Sequence, residues 1–169
     1  HEGGVHVPLV VHWPEGLGDV GGELRHQFHH VNDIAPTIYE ACGVTPKDTY
    51  GGHEQMPISG ISLGYTFTGT DELSRKEVQY FEMGGHRGIW LDGWKAVTRH
   101  EAGTSFDDDT WELYHVAVDP SECTDLAASN PEKLAELIDR WWEEAELHGV
   151  LPLDDRMLQL FGTRHRDRS

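Results

Sequence analysis

Histidine is unusually frequent in this sequence, with 12 copies among 169 residues, and its imidazole can ligate metals and carry protons near neutral pH. The densest group is His26, His29 and His30, which could bind a metal or grip an anion. No cysteine or HExxH pattern accompanies them, so the alternative is packing and hydrogen bonding where a helix begins. The residue types leave both interpretations open.

Two glycine-containing motifs could meet an anionic ligand. Glu2-Gly3-Gly4 would let the backbone approach an anion, because glycine adopts conformations closed to other residues; a plain turn is the alternative. Gly84-Gly85-His86-Arg87 places a histidine and a permanently charged guanidinium at the start of a strand, and arginine suits sulfate or phosphate oxygens. The alternative for this second motif is a surface pair.

The acidic run at 107–109 and the two cysteines match no known metal or catalytic motif. Asp107-Asp108-Asp109 lacks the alternating oxygen ligands and the distal carboxylate of a calcium loop, which favours a solvated turn. Cys42 and Cys123 have neither metal spacing nor a base at an interpretable distance, and they are predicted to be buried free thiols. The P-loop pattern is absent. We therefore expect no catalytic nucleophile and no metal ligand set in this segment.

Net charge and hydropathy indicate which classes of binding partner are unfavourable for this protein. The 13 Lys and Arg against 30 Asp and Glu give a net charge of −17, which argues against nucleic acid and anionic membrane surfaces as partners. The apolar runs are only a few residues long, so no segment is expected to span a bilayer. The length suits one compact domain or two small ones, and we expect a soluble protein, with a cytoplasmic location favoured.

Residues 1–74 have the pattern of an α/β unit. Residues 5–14 are β-rich, and the apolar stretch at 9–11 is typical of a strand buried on both faces, as in a parallel sheet. A helix is predicted to begin at Asp33 as N-cap and to end at Gly43. Residues 43–75 have the composition of a long connection, which suggests a seam between two structural units.

Residues 75–169 predict an antiparallel sheet covered by a helix. Strand patterns occupy residues 78–83, 87–91, 94–98 and 110–116, and Asp92-Gly93 is a strong signal for a type I′ hairpin turn. Asn130 and Pro131 begin the clearest helix, with an apolar stripe of Leu134, Leu137, Ile138, Trp141 and Ala145. This helix should pack on the sheet, since neither can bury its apolar side alone. The charged tail at 164–169 is predicted to fray.

Six phrases, in order, resemble the carboxy-terminal half of bacterial arylsulfatases, in the sulfatase family of the alkaline-phosphatase-like superfamily. They extend over residues 1–156 and are EGGVHVPLVV at 2–11, HQFHHVNDIAPT at 26–37, YFEM at 80–83, GWKAV at 93–97, WELY at 111–114 and VLPLDDR at 150–156. Each phrase is weak by itself, and the order and spacing carry the resemblance. Position 6 is His where the family commonly has Arg.

The resemblance implies an α+β fold and a hydrolase. Residues 1–74 would hold a remnant strand and helix of the α/β catalytic domain, and residues 75–169 would form a four-stranded antiparallel sheet packed with a carboxy-terminal helix. The family hydrolyses sulfate esters with a formylglycine made from Cys or Ser, while a divalent metal, usually calcium, polarises the sulfate oxygens. The Cys/Ser-x-Pro-x-Arg modification motif is absent from this chain, and the family's metal-binding aspartates belong to its amino-terminal half.

The resemblance therefore predicts a carboxy-terminal fragment of an arylsulfatase-like enzyme that is inactive alone and binds no cofactor itself. Its partners would be the amino-terminal catalytic half of the same parent chain and, through the parent, a sulfate ester. No catalytic or metal residue is carried over. His86, Arg87 and Glu2 are the candidates on the substrate side, because the small subdomain of the family helps to wall the cleft.

Two other functions and one physical consequence accompany this interpretation. The chain could instead be a stand-alone binding module or pseudo-enzyme, or part of a related phosphoester hydrolase. An isolated chain that lacks its catalytic half should expose a surface meant to be covered. We therefore expect the isolated chain to self-associate.

Overall fold

The computed structural model describes residues 1–69 and 72–156, which contain helices and antiparallel strands. The helices are α1 (Glu2–Val5), α2 (Pro14–Leu17), α3 (Ile34–Ala41) and α4 (Pro131–Leu147), and the strands are β1 (Thr49–Tyr50), β2 (His53–Glu54), β3 (Val78–Met83), β4 (His86–Leu91), β5 (Trp94–Thr98) and β6 (Trp111–Tyr114). Short 3-10 helices occupy Val31–Asp33, Gly64–Phe67 and Phe106–Asp108. This composition confirms the predicted α+β class.

The chain forms two compact units, one of them discontinuous in sequence. The first seven residues, His1–Val7, belong with the described residues from Val78 to Arg156, and Pro8–Glu77 form the other unit. We call them the sheet–helix unit and the Pro8–Glu77 unit. The charged tail at 164–169 lies outside the described residues. Among the described residues, no helix is long and apolar enough to cross a membrane.

The four strands of the sheet–helix unit form a meander in which each strand pairs with the next, in the order β3-β4-β5-β6. Ile89 of β4 lies opposite Ala96 of β5, which in turn lies opposite Leu113 of β6. The β4–β5 turn has φ of 45° at Asp92 and 80° at Gly93, the left-handed pair that a type I′ turn requires. The predicted sheet and its turn are therefore confirmed.

Helix α4 covers one face of this sheet. Asn130 is its N-cap, Pro131 is its first residue, and Gly149 follows it with a φ of 67°. The core joins both elements and consists of Ile89, Ala96, Trp111, Leu113, Leu137, Trp141 and Ala145. The Trp141 indole N–H donates to the Phe81 carbonyl at 3.1 Å, which satisfies its one polar atom inside the core. The predicted packing of helix on sheet is confirmed.

The Pro8–Glu77 unit differs from its prediction in one element. Residues 6–13 have no regular secondary structure, so the strand expected over 5–14 is absent. A doubly buried strand needs neighbours that accept its backbone hydrogen bonds and an apolar layer on each face. No described strand pairs with this segment, and its side chains, such as Leu9 and Val10, are exposed.

Both cysteines are free, as predicted, but they are exposed rather than buried. Cys42 follows α3 at its carboxyl end, and that helix has no buried residue to cover it. Cys123 lies in a surface turn held by the Asp119 carboxylate, which accepts the amides of Cys123 and Thr124 at 2.8 and 3.0 Å. The apolar character of a thiol favours burial only where packed side chains surround it.

Candidate functional site

Glu2 lies in a cluster of charged groups that we call the Lys95 cluster, made of His1, Glu2, His6, Lys95 and Glu122. The Lys95 ammonium is 2.9 Å from Glu2 Oε1 and 3.0 Å from Glu122 Oε1. Only 3% of the Lys95 side chain and 4% of the Glu122 side chain are exposed. Lys95 points to the side of β5 opposite its neighbour Ala96, because successive side chains of a strand alternate.

The backbone of the amino-terminal segment also enters this cluster. Glu122 Oε2 accepts the Glu2 amide at 2.7 Å and lies 2.9 Å from His1 Nδ1. Glu2 Oε2 is 3.2 Å from His6 Nδ1, so the histidine at the position of the family's arginine still contacts Glu2. Two carboxylates thus share one ammonium, and the imidazoles and an amide supply further donors.

Arg87 lies in the interior of the sheet–helix unit, with only 3% of its surface exposed. Its guanidinium donates to the Asp109 carboxylate and to the Phe106 carbonyl. The charged carbon is between 5.1 and 5.6 Å from the ring centroids of Phe106, Trp111, Trp141 and Trp142. The Arg87 guanidinium therefore forms its ion pair and its cation–π contacts with groups inside the unit.

His86 precedes Arg87 on β4 and is exposed, as the alternation of strand side chains requires. Its Nδ1 accepts the His100 amide at 3.1 Å, which fixes one side of the ring and leaves Nε2 without a contact in the described structure. No hydrogen bond or ion pair among the described residues joins Glu2 to His86 or Arg87. The structure therefore places Glu2 in a different environment from His86 and Arg87 within one unit.

His100 and Asp109 complete the surroundings of Arg87. The buried His100 ring stacks on Phe106 with centroids 4.0 Å apart, and its Nδ1 is 2.9 Å from Asp109 Oδ2. Its Nε2 is 3.5 Å from Asp155 Oδ2, an atom that also accepts the Gly103 amide at 2.6 Å. That backbone hydrogen bond lowers the pKa of Asp155. Asp109 is thus a partner of the buried Arg87 guanidinium and the buried His100 imidazole rather than part of the solvated turn predicted for 107–109.

An open cavity of about 430 Å³ lies beside this group. Its lining contains more carboxylates than cations and consists of Arg99, Glu101, Thr104, Asp108, Asp109, Thr110 and Glu112. Carboxylates repel sulfate and phosphate, so the lining does not favour an anionic ligand. Among the described residues, no group of three or more His, Cys, Asp or Glu side chains is arranged to hold a metal ion.

The histidine-rich segment at 26–30 forms hydrogen bonds at the start of a helix. His29 Nδ1 is 3.1 Å from Asp33 Oδ2, and its Nε2 is 2.9 Å from the Tyr65 hydroxyl. Asp33 is fully buried and also accepts the Lys76 ammonium at 2.8 Å and the amides of His30 and Ile61. Of the two interpretations left open for these histidines, this geometry matches the hydrogen-bonded helix start.

The environment of Asp33 favours its charged form. Burial alone would raise the pKa of its carboxyl group, but hydrogen bonds from His29, Lys76 and two backbone amides outweigh burial and hold that pKa well below its usual range. Asp33 is the N-cap residue of α3, but its side chain forms no cap hydrogen bond to that helix. It accepts the amide of His30, which precedes the helix, instead. The carboxylate therefore connects segments distant in sequence.

Sequence reasoning missed the residues that hold these groups in place, chiefly Lys95, Asp109 and Glu122. One local signal was present for Lys95, because a single lysine interrupts an otherwise apolar strand at residues 94–97. Such a lysine indicates either an exposed face or a buried ion pair, and its partners are 93 and 27 positions away. No local pattern identifies partners at those separations.

Comparison with known proteins finds a sequence relative and solved structures with a similar fold. No protein-family model matches the chain. An uncharacterized sulfatase of Schizosaccharomyces pombe is 28% identical over 165 residues, which is 95% of this chain and 29% of that protein. The chain thus spans less than a third of the length of this relative.

Solved structures share the fold at lower identity. BT4656, solved in complex with its substrate D-glucosamine-2-N,6-O-disulfate, superposes with a TM-score of 0.52 at 22% identity, over 73% of this chain and 25% of that one. Ps i-CgsB gives a TM-score of 0.52 at 16% identity, over 78% of this chain and 27% of that one. The chain is therefore similar in sequence to part of an uncharacterized sulfatase and shares its fold with parts of BT4656 and Ps i-CgsB.

Proposed function

We propose that the chain is the carboxy-terminal part of an arylsulfatase-like enzyme that hydrolyses sulfate esters. The observation that carries the proposal is the match over 95% of this chain to an uncharacterized sulfatase, of which it covers 29%. In this role the chain forms part of the wall of the substrate cleft and positions the segments of the parent protein that lie beside it. It supplies neither the nucleophile nor the metal ligands.

The chemistry of the described residues supports this division of labour. The family's formylglycine and its divalent metal, usually calcium, do not fit here, because the modification motif is absent and no described group of acidic, histidine or cysteine side chains can hold a metal. Stabilising a transferring sulfuryl group requires charges that are already oriented in a site that excludes water. The chain alone therefore has no turnover, and the amino-terminal half of the parent chain provides those groups.

On the substrate side, the three candidates have different roles. The exposed His86 imidazole is free to contact a ligand through Nε2. Arg87 acts from the interior, where its ion pair with Asp109 fixes the start of β4. Glu2 is partly exposed, and its carboxylate forms an ion pair with the Lys95 ammonium. An exposed imidazole is compatible with contact to a polar or anionic substrate.

The partner proposed for the Pro8–Glu77 unit is the amino-terminal catalytic half of the same parent. Large apolar side chains of this unit are widely exposed, with Val10 at 87%, Met56 at 86% and Leu24 at 74%. Surfaces of this kind in soluble proteins mark contact sites. The relative is more than three times as long as its matched segment, which provides a partner of sufficient size within one chain.

The test is to assay two proteins on an aromatic sulfate ester in the presence of calcium. We expect no turnover by the purified 169-residue chain and clear turnover by the full-length protein that contains it. The matched phosphate ester is the control for substrate class. Turnover by the 169-residue chain, or a full-length protein that cleaves only the phosphate ester, contradicts the proposal; a full-length protein without either activity points to a binding module.

A further inference from the structure

We infer that Lys95 and Glu122 are positioning residues that hold the Glu2-Gly3-Gly4 segment against the carboxy-terminal sheet and so orient it for hydrolysis of the sulfate ester. The inference rests on the proposed function for its catalytic part. Its structural part, which we call the clamp, concerns only contacts within the sheet–helix unit. The clamp consists of Glu2, Lys95 and Glu122.

The first support is that polar contacts, rather than apolar packing, hold the amino-terminal segment. Helix α1 is four residues long and has no buried residue. A helix this short does not persist by itself, because nucleation is unfavourable and few hydrogen bonds compensate it. Nevertheless, His1–Val7 belong to the sheet–helix unit. The contacts to Lys95 and Glu122 account for that placement.

The second support is that the clamp grips both the side chain and the backbone of Glu2. Lys95 binds the Glu2 carboxylate at 2.9 Å, while Glu122 accepts the Glu2 amide at 2.7 Å. Two attachments, one to the side chain and one to the backbone, fix the orientation of Glu2 as well as its position. The two glycines that follow have open space around their Cα atoms and could not provide this fixation themselves.

The third support is that Glu122 is itself held rigidly. Its φ of 52° lies in the left-handed region, which a residue with a side chain adopts only where surrounding contacts enforce it. The turn around it is closed by a hydrogen bond from the Glu122 amide to the Asp119 carbonyl at 3.1 Å and by the Asp119 carboxylate. A carboxylate on such a turn acts as a fixed acceptor.

The charge balance explains why loss of the lysine would release the segment. The buried Lys95 ammonium separates two carboxylates, and its removal would leave them facing each other with little solvent. Two adjacent buried carboxylates repel each other, and the partly exposed one can move into water. Glu2 is the one with more exposure, so the amino-terminal segment is the part expected to detach.

The first experiment measures amide hydrogen exchange of residues 2–6 in the 169-residue chain. Lys95→Met should accelerate their exchange by about tenfold or more, because these amides would then open locally. Glu122→Gln keeps a neutral acceptor and the Lys95–Glu2 pair, so a smaller acceleration is expected. Lys47→Met is the matched control, since it removes an exposed ammonium from the Pro8–Glu77 unit.

The second experiment tests positioning in the full-length protein. Lys95→Met should lower kcat on the sulfate ester on the order of 100-fold with a smaller change in KM, because a small misplacement of a segment beside the substrate is costly. Lys95→Arg retains the charge and should recover part of kcat. In a double-mutant cycle, Lys95→Met should add little to the loss already caused by Glu2→Gln, since one acts through the other.

The outcomes separate this inference from the proposed function. Unchanged exchange of residues 2–6 in folded Lys95→Met, verified by its thermal unfolding, rejects the clamp whatever the enzyme does. Accelerated exchange with an unchanged kcat, or with additive losses in the cycle, rejects the positioning role. A full-length wild-type protein with no sulfate ester turnover refutes the proposed function and the positioning role together, and the exchange result then decides the clamp alone.

Discussion

Asp33 connects three separate segments of the Pro8–Glu77 unit through one buried carboxylate. Lys76 lies 43 positions along the chain from it, Ile61 lies 28 positions away, and His30 precedes it by three. A buried charge is tolerated only where a partner and hydrogen bonds replace its hydration. All of these conditions are met at Asp33, so this side chain is expected to contribute strongly to the stability of the unit.

We predict that Asp33→Asn lowers the free energy of unfolding by about 3 kcal/mol, because it leaves the buried Lys76 ammonium without its charged partner. The decrease in unfolding free energy is measured by urea unfolding, with hydrogen exchange of amides in the Pro8–Glu77 unit as the probe. The exposed Asp19→Asn removes the same charge from the same unit and should change stability by less than about 0.5 kcal/mol. Equal losses in the two variants would show that Asp33 has no special role.

The same substitution should change how stability depends on pH. The pKa of Asp33 is lowered on folding, so its contribution is fully present above the ordinary aspartate pKa of about 3.9 and declines as the pH falls below it. The difference in unfolding free energy between wild type and Asp33→Asn should therefore be largest near neutral pH and shrink below pH 4 or so. A difference that grows in acid would contradict the assigned direction.

At the scale of elements, the parts predicted from sequence are those whose information is local. The β4–β5 hairpin follows from Asp92-Gly93, and α4 follows from its cap residues and apolar stripe, all within about 20 residues of each other. The strand expected over 5–14 was wrong because a buried strand depends on partners that the described residues do not provide. The Lys95 and Asp109 ion pairs were missed for the same reason, since their partners are distant in sequence.

The hairpin turn offers a direct test of an element that sequence did predict. Gly93 has a φ of 80°, and a Cβ at this position would lie 3.0 Å from the Ala117 Cβ. We predict that Gly93→Ala destabilises the sheet–helix unit by more than about 1–2 kcal/mol, which is the penalty for placing an L-residue in the left-handed region. Chemical unfolding monitored by tryptophan fluorescence measures the effect.

Gly103→Ala is the matched control for the turn. Gly103 has a similar φ of 87°, and no atom lies within 4 Å of the added methyl group. It therefore isolates the conformational penalty from the steric contact with Ala117. If Gly103→Ala were as destabilising as Gly93→Ala, the close approach to Ala117 would have no energetic consequence.

At the scale of the whole molecule, the chain combines a strong net charge with a large exposed apolar surface. The charge of −17 makes two copies repel each other, whereas side chains such as Val10, Leu24 and Met56 favour burial against another surface. Repulsion between exposed charges is screened beyond about 8 Å at physiological ionic strength. The balance between these two effects therefore depends on salt.

We predict that the isolated 169-residue chain self-associates and that association strengthens as salt is raised from about 0.01 M to about 1 M, where the screening length falls from about 30 Å to about 3 Å. Sedimentation velocity and light scattering at matched protein concentrations measure it. Val10→Asp should weaken association by placing a charge on the exposed apolar surface, whereas Val118→Asp, in the other unit and also exposed, should have less effect. A strict monomer at high protein concentration and 1 M salt would mean that the exposed side chains form no adhesive surface, and the argument for a covering amino-terminal half would lose its physical support.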